Sequence, residues 1–179
     1  AWYNNPYFAT YELTQVHDRN VTNGQVKLNW DIMPGLSIQG RAAGRLEDTF
    51  EDMKSPKSYM NYGDSRNGDY KTWNTDQLDI NTDVLVTYTR AFNKNFALTV
   101  NAGSSLYYRQ IRSEYQATDG LIVPGVYNMG NSLNPVSATN SMNEKAIESV
   151  YGSVNLDLFD GVYLTLTGRN DWSSTIIKG

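Results

Sequence analysis

The sequence has no cysteine and a single histidine, His17, among its 179 residues. The absence of cysteine excludes disulfide bonds, thiolate metal sites and thiol nucleophiles. One histidine is too few for a multi-histidine zinc site. The 15 basic residues are outnumbered by 19 acidic ones, and the net charge of −4 argues against a broad basic surface for nucleic acid. No metal, cofactor or nucleic-acid partner is therefore predicted.

Long apolar runs are also missing. No stretch reaches the roughly 18 apolar residues of a transmembrane helix. The first residues do not show the charged and then apolar pattern of a secretory signal. Aromatic and turn-forming residues are plentiful instead, with 13 tyrosines, 4 tryptophans and 14 glycines. This composition favours strands and turns over helices.

Alternation of apolar and polar residues predicts three pairs of strands. The apolar positions are Val26, Leu28, Trp30 and Ile32 with Leu36, Ile38, Gly40 and Ala42; Ile80, Val84, Val86 and Tyr88 with Phe96, Leu98, Val100 and Ala102; and Val150, Val154, Leu156 and Leu158 with Val162, Leu164 and Leu166. A period of two gives each strand one apolar and one polar face.

The turn of the third pair fixes its register. A three-residue loop at 159–161 pairs Leu158 with Val162 and Tyr151 with Arg169, and both faces then stay uniform. The last loop residue is a glycine, as a left-handed position requires. Equally short loops are predicted for the first two pairs.

The connections between the pairs, residues 45–77 and 109–145, are predicted to be long polar loops rich in Gly, Asn, Ser and Tyr. Short turns at one end and long loops at the other are typical of bacterial outer-membrane barrels. We therefore predict an all-β fold, a segment of a transmembrane antiparallel β-barrel. It has about six strands in three hairpins, with short periplasmic turns and long extracellular loops. A soluble β-sandwich that serves as a carbohydrate-binding module is the alternative, because it also needs one apolar face.

The most specific family resemblance lies in residues 149–175, SVYGSVNLDLFDGVYLTLTGRNDWSST, which resemble the SusC/RagA family of TonB-dependent outer-membrane transporters of Bacteroidetes. Residues 120–132, GLIVPGVYNMGNS, and the segments 4–8 and 18–44 resemble the same family in the same order. The resemblance implies import of oligosaccharides or peptides energised through TonB, with a SusD-like surface lipoprotein as partner and outer-membrane lipid around the barrel. It implies no enzymatic step.

Members of this family are much longer, with a plug domain and about 22 strands. We expect residues 1–179 to be part of such a barrel, with the plug and the remaining strands absent from this chain. A passive porin-like barrel is a further alternative.

Charged residues on the predicted polar face are the first candidates for a site. Arg41, Asp83, Arg169 and Asp171 are predicted to contact substrate or plug, or to join strands by hydrogen bonds. The second candidates are aromatic residues placed in the loops, which could stack on sugars or peptide side chains or hold the loops together: Tyr70, Trp73, Tyr107, Tyr108 and Tyr127, with Tyr59 and Tyr62. No catalytic constellation is predicted, because the serine pairs have no histidine nearby.

Overall fold

The computed structural model describes residues 4–57, 59, 67–159 and 161–178, and residues 175–178 by their backbone only. The elements are a short helix α1 (Pro6–Tyr11), strands β1 (Thr14–Met33), β2 (Leu36–Ser55), β3 (Asp69–Asn93) and β4 (Phe96–Leu121), a 3₁₀ helix (Met129–Asn131), and strands β5 (Ser132–Leu158) and β6 (Val162–Lys178). All six strands form one antiparallel sheet in chain order. The predicted all-β fold of six strands in three hairpins is confirmed, and the single sheet differs from the two packed sheets of a β-sandwich.

The third hairpin has the predicted register. Leu158 pairs with Val162, and Tyr151 pairs with Arg169. Gly161 has a φ of 106°, a left-handed value that glycine adopts readily.

The first two hairpins close more tightly than predicted. Met33 pairs directly with Leu36, and Asn93 pairs with Phe96, so that each turn has two residues. A register shift next to each turn then absorbs one residue of the longer strand. Such a β-bulge restores the alternation that the three-residue loops were predicted to preserve.

The predicted bounds of the long loops, 45–77 and 109–145, are wrong, because most of these residues belong to strands. β2 continues to Ser55 and β3 begins at Asp69, and the second connection is equally reduced to residues 122–131. Beyond the apolar stretch polar residues are frequent on both faces of the sheet, and only scattered apolar residues such as Leu46 and Phe50 remain, so the period of two gives a weak signal. The acidic residues Glu47 and Glu51, predicted in a loop, lie on β2.

The sheet has an apolar face and a polar face. The apolar face carries the alternating residues that include Leu28, Trp30 and Leu166, which are 60–71% exposed. Among the described residues, only Ala117 and Leu121 are buried hydrophobic side chains. The apolar face is thus covered by no other described element, and no described helix is long and apolar enough to cross a membrane.

Aromatic rings line the short-turn end of the sheet. Phe92 and Phe96 stack with their ring centroids 5.0 Å apart. Arg90, which the register places on the apolar face, holds its guanidinium 5.1 Å from the centroid of Phe92. A cation–π contact therefore accommodates this charge beside apolar residues.

Candidate functional site

The polar face holds all four charged residues that the sequence singles out. Arg41 of β2 and Asp83 of β3 are directly paired across the strands. Their side chains form an ion pair with 2.6 Å between Arg41 Nη2 and Asp83 Oδ1. Alternation of side chains along each strand brings the two charges to the same face.

Arg169 and Asp171 form a second ion pair on the same face, on β6 at the edge of the sheet. Arg169 Nε lies 2.8 Å from Asp171 Oδ1, and Arg169 Nη2 donates a hydrogen bond of 3.0 Å to Ser149 Oγ on β5. The Arg169 guanidinium also lies 5.9 Å from the centroid of the Tyr151 ring. The structure thus gives the four predicted residues partners within the sheet, and their contact with substrate or plug stays a prediction.

A larger charge cluster surrounds Asp79, which is not among the predicted site residues. Arg45 and Arg109 are the cross-strand partners of Asp79 on its two sides. The Asp79 carboxylate accepts hydrogen bonds from Arg109 Nε at 2.6 Å, from the Tyr107 hydroxyl at 3.0 Å and from Gln77 Nε2 at 2.7 Å. Three donors on one carboxylate hold all these side chains in place.

Glu47 forms a second node of this cluster. Its carboxylate accepts hydrogen bonds from Arg19 Nε at 2.6 Å and from Arg45 Nη2. The hydrogen bond from Arg19 lowers the pKa of Glu47; Arg45 acts in the same direction, and desolvation opposes the shift. Arg45 therefore lies between two carboxylates, Glu47 on its own strand and Asp79 on the next.

A groove of about 530 Å³ opens on the polar face above the small side chain of Ala43. Its walls are formed by Asn23, Gln25, Arg45, Asp79, Asn81, Tyr107 and Arg109, with the backbone of Gly24 and Gly44. The groove presents guanidinium, carboxylate, amide and phenol groups to one volume. These groups can bind both ends of a zwitterionic chain by charge-assisted hydrogen bonds.

An aromatic pair extends the polar face beyond this groove. The rings of Trp73 and Tyr115 lie 5.2 Å apart on β3 and β4. In the same cross-strand row, His17 Nδ1 lies 2.9 Å from Glu51 Oε1. The flat rings beside this histidine–glutamate contact offer stacking and polar contacts side by side.

Most of the predicted loop aromatics lie in strands instead. Tyr70 and Trp73 are in β3, because this strand extends into the segment predicted as a loop, and Tyr107 and Tyr108 are in β4. Only Tyr127 among the five lies in a connection. The predicted Tyr62 lies outside the described residues.

Two of these tyrosines approach each other near the far end of the sheet. The rings of Tyr70 and Tyr127 are 6.2 Å apart, and the Tyr70 hydroxyl donates a hydrogen bond of 3.4 Å to Asp52 Oδ2. Burial, with the nearby Asp52 charge, raises the pKa of Tyr70. Tyr108 donates a hydrogen bond of 3.0 Å to Glu144 Oε1. All these contacts hold strands and connections together.

Comparisons with known proteins identify the fold. The structure matches two states of the "RagAB peptide importer", open-open and closed-closed, each with a TM-score of 0.77 and 17% identity over 96% of this chain. The "RagAB peptide transporter" matches with a TM-score of 0.76 and 18% identity over 94% of this chain. This chain spans about a fifth of those chains, 19–20% of their length.

The fold is that of a segment of a transporter barrel. The resemblance to the SusC/RagA family seen in the sequence is thus confirmed at the level of the fold. No protein-family model matches the sequence. No curated protein matches it either.

Proposed function

We propose that this chain forms part of the wall of a SusC-like, TonB-dependent importer in the bacterial outer membrane. The observation that carries the proposal is the match of the whole sheet to transporter chains, at TM-scores of 0.76–0.77. The uncovered apolar face supports it, because a sheet that leaves side chains such as Leu28 71% exposed to water loses much of the hydrophobic stabilisation. In this arrangement the apolar face contacts lipid and the polar face lines the lumen.

The rest of the transporter lies outside this chain in the proposal. A plug domain and further strands complete the barrel, and TonB energises transport through those parts. A SusD-like surface lipoprotein covers the extracellular end. Completion of the barrel is physically required in lipid, since the outer edges of β1 and β6, which pair with no other described strand, would otherwise expose backbone groups.

Oligopeptides are the substrate class that the groove favours. A peptide carries an ammonium, a carboxylate and a row of amides, and the groove supplies partners for each with Asp79, Arg45 and Asn81. Oligosaccharides are the second class, since the rings of Trp73 and Tyr115 could stack on sugars. The chemistry is binding and gated translocation, with no bond made or broken.

The test is uptake by cells that express the full-length protein as their only transporter of this kind. Labelled oligopeptides and oligosaccharides are compared with and without a protonophore that removes the energy supplied through TonB. Arg45→Gln is expected to lower peptide uptake about tenfold, because it removes one charged hydrogen-bond donor from the groove. Arg112→Gln is the matched control, since this exposed arginine of β4 lies outside the groove.

Three results would contradict the proposal. Uptake that continues with the protonophore indicates a passive porin-like barrel. Uptake of oligosaccharides alone overturns the peptide assignment. A protein absent from the outer-membrane fraction overturns the location itself.

A further inference from the structure

A free carboxylate lies on the apolar face of the sheet. Glu148 of β5 has Leu106 and Trp172 as its cross-strand neighbours and Val150 as the next residue on the same face. Its side chain is exposed, and it makes no hydrogen bond or ion pair with the described residues. An ionised group among apolar neighbours is costly unless it has a partner.

Glu148 lies at a crevice of about 250 Å³ that combines three kinds of surface. The hydroxyls of Thr82 and Ser104 are at one side, and the ring of Trp172, 54% exposed, is at the other. Val84 and Val150 continue the wall toward the short-turn end with exposed apolar side chains. Thus a negative charge, hydrogen-bonding groups and an aromatic ring meet directly beside an apolar surface.

We infer that this crevice binds the protonated amine of a lipid headgroup. The inference rests on the proposed function, which places this face in the membrane. The ammonium pairs with the Glu148 carboxylate and lies against the Trp172 ring, the aromatic side chain that binds cations best. The hydroxyl of Ser104 accepts a further N–H, and the acyl chains lie over the apolar wall.

The charge of the crevice determines which lipid headgroup binds there. Both ionisable residues among those that line the crevice, Glu148 and Asp83, are acidic, and Asp83 is paired with Arg41. The crevice therefore repels headgroups that carry only a phosphate and attracts those with an added amine. Trp172 lies where the apolar face ends and the polar part of the strand begins. In outer-membrane barrels aromatic residues are enriched at this boundary, which is the depth of the lipid headgroups.

The experiment uses the full-length protein purified from outer membranes and stripped of lipid in detergent. Native mass spectrometry then measures binding of phosphatidylethanolamine and of phosphatidylglycerol with identical acyl chains. The wild-type protein is expected to bind phosphatidylethanolamine about tenfold more tightly, the effect of one charged hydrogen bond. Glu148→Gln is expected to remove this preference, and the difference between the two proteins isolates this crevice from other lipid sites.

Glu114→Gln is the matched control, because this exposed glutamate lies on the same face of β4 beyond the apolar stretch. It is expected to keep the wild-type preference. Equal binding of the two lipids by the wild type, or an unchanged preference in Glu148→Gln, overturns the inference. Carbonate washing separates the two proposals: protein released from the membrane contradicts the proposed function, whereas retained protein without lipid preference contradicts only the amine site.

Discussion

The ring of Tyr151 lies directly over Gly103 on the neighbouring strand. A Cβ added at Gly103 would stand 2.6 Å from Tyr151 Cζ and 2.8 Å from its hydroxyl oxygen. The same ring contacts the Arg169 guanidinium at 5.9 Å from its centroid. The absence of a side chain at position 103 therefore leaves room for the Tyr151 ring, which lies against the Arg169 guanidinium.

Gly103→Ala is expected to lower the free energy of unfolding by about 1–3 kcal/mol, because the ring must move to admit the methyl group. Gly40→Ala is the control, since no atom lies within 4 Å of its added Cβ. Alanine there is expected to be neutral or slightly stabilising. Urea unfolding of the full-length protein in detergent measures both, and an equal effect at the two positions would contradict the packing argument.

The turn glycines Gly35 and Gly161 provide a second pair of positions at which alanine substitutions can be compared. Both have positive φ, 85° and 106°, so alanine is strained at either position. A Cβ at Gly35 would in addition stand 2.2 Å from the carbonyl oxygen of Thr89 on β3, whereas Gly161 faces open space. Gly35→Ala is expected to destabilise by at least 1 kcal/mol more than Gly161→Ala, measured by the same unfolding experiment. The reverse order would show that the first turn does not pack on β3.

Asp79 and Asp83 allow a test of how far hydrogen-bond number determines stability. Asp79 accepts from Arg109, Tyr107 and Gln77, whereas Asp83 pairs with Arg41. Asp79→Asn is expected to cost about 1–3 kcal/mol, and Asp83→Asn less, because fewer donors lose a charged acceptor. Thermal unfolding in detergent compares the two variants. A larger loss for Asp83→Asn would indicate that the cluster around Asp79 is dispensable for folding.

The lowered pKa of Glu47 predicts that the stability of the folded protein depends on pH. Its pKa in the folded protein is lowered by the hydrogen bond from Arg19, so its stabilising contribution is present above the ordinary carboxyl pKa and is lost as the pH falls. Between about pH 5 and pH 3, Glu47→Gln is expected to flatten the decrease of the unfolding temperature. Arg19→Gln is expected to raise the pKa of Glu47, as measured by infrared titration of the labelled carboxylate. An unchanged pKa in that variant would exclude Arg19 as the main cause.

The sequence was sufficient to predict the presence of six strands and the register of the third hairpin. Both follow from apolar alternation, which a one-residue slip would destroy. The first two turns were less predictable, because a three-residue loop and a two-residue turn with a β-bulge place the same residues on the same face.

The cluster around Asp79 was missed for a related reason. Arg45 and Arg109 lie where the apolar alternation ends, and these residues were assigned to loops. A signal was present in the spacing: the polar face of β2 continues from Arg41 to Arg45 and Glu47 in steps of two or four. No single-sequence pattern, however, reveals that Arg109 would meet Asp79, since this contact depends on the register between β3 and β4.

The long strands have an electrostatic consequence. Beyond Tyr108, β4 continues to Leu121. At about 3.3 Å per residue and a tilt of about 40°, that part of the strand rises roughly 30 Å above the apolar stretch. Charges are screened within about 8 Å in physiological salt. In the proposed orientation, the rim at which arriving molecules are captured lies several screening lengths from the lipid surface, so the charge of the surrounding lipids neither attracts nor repels them there.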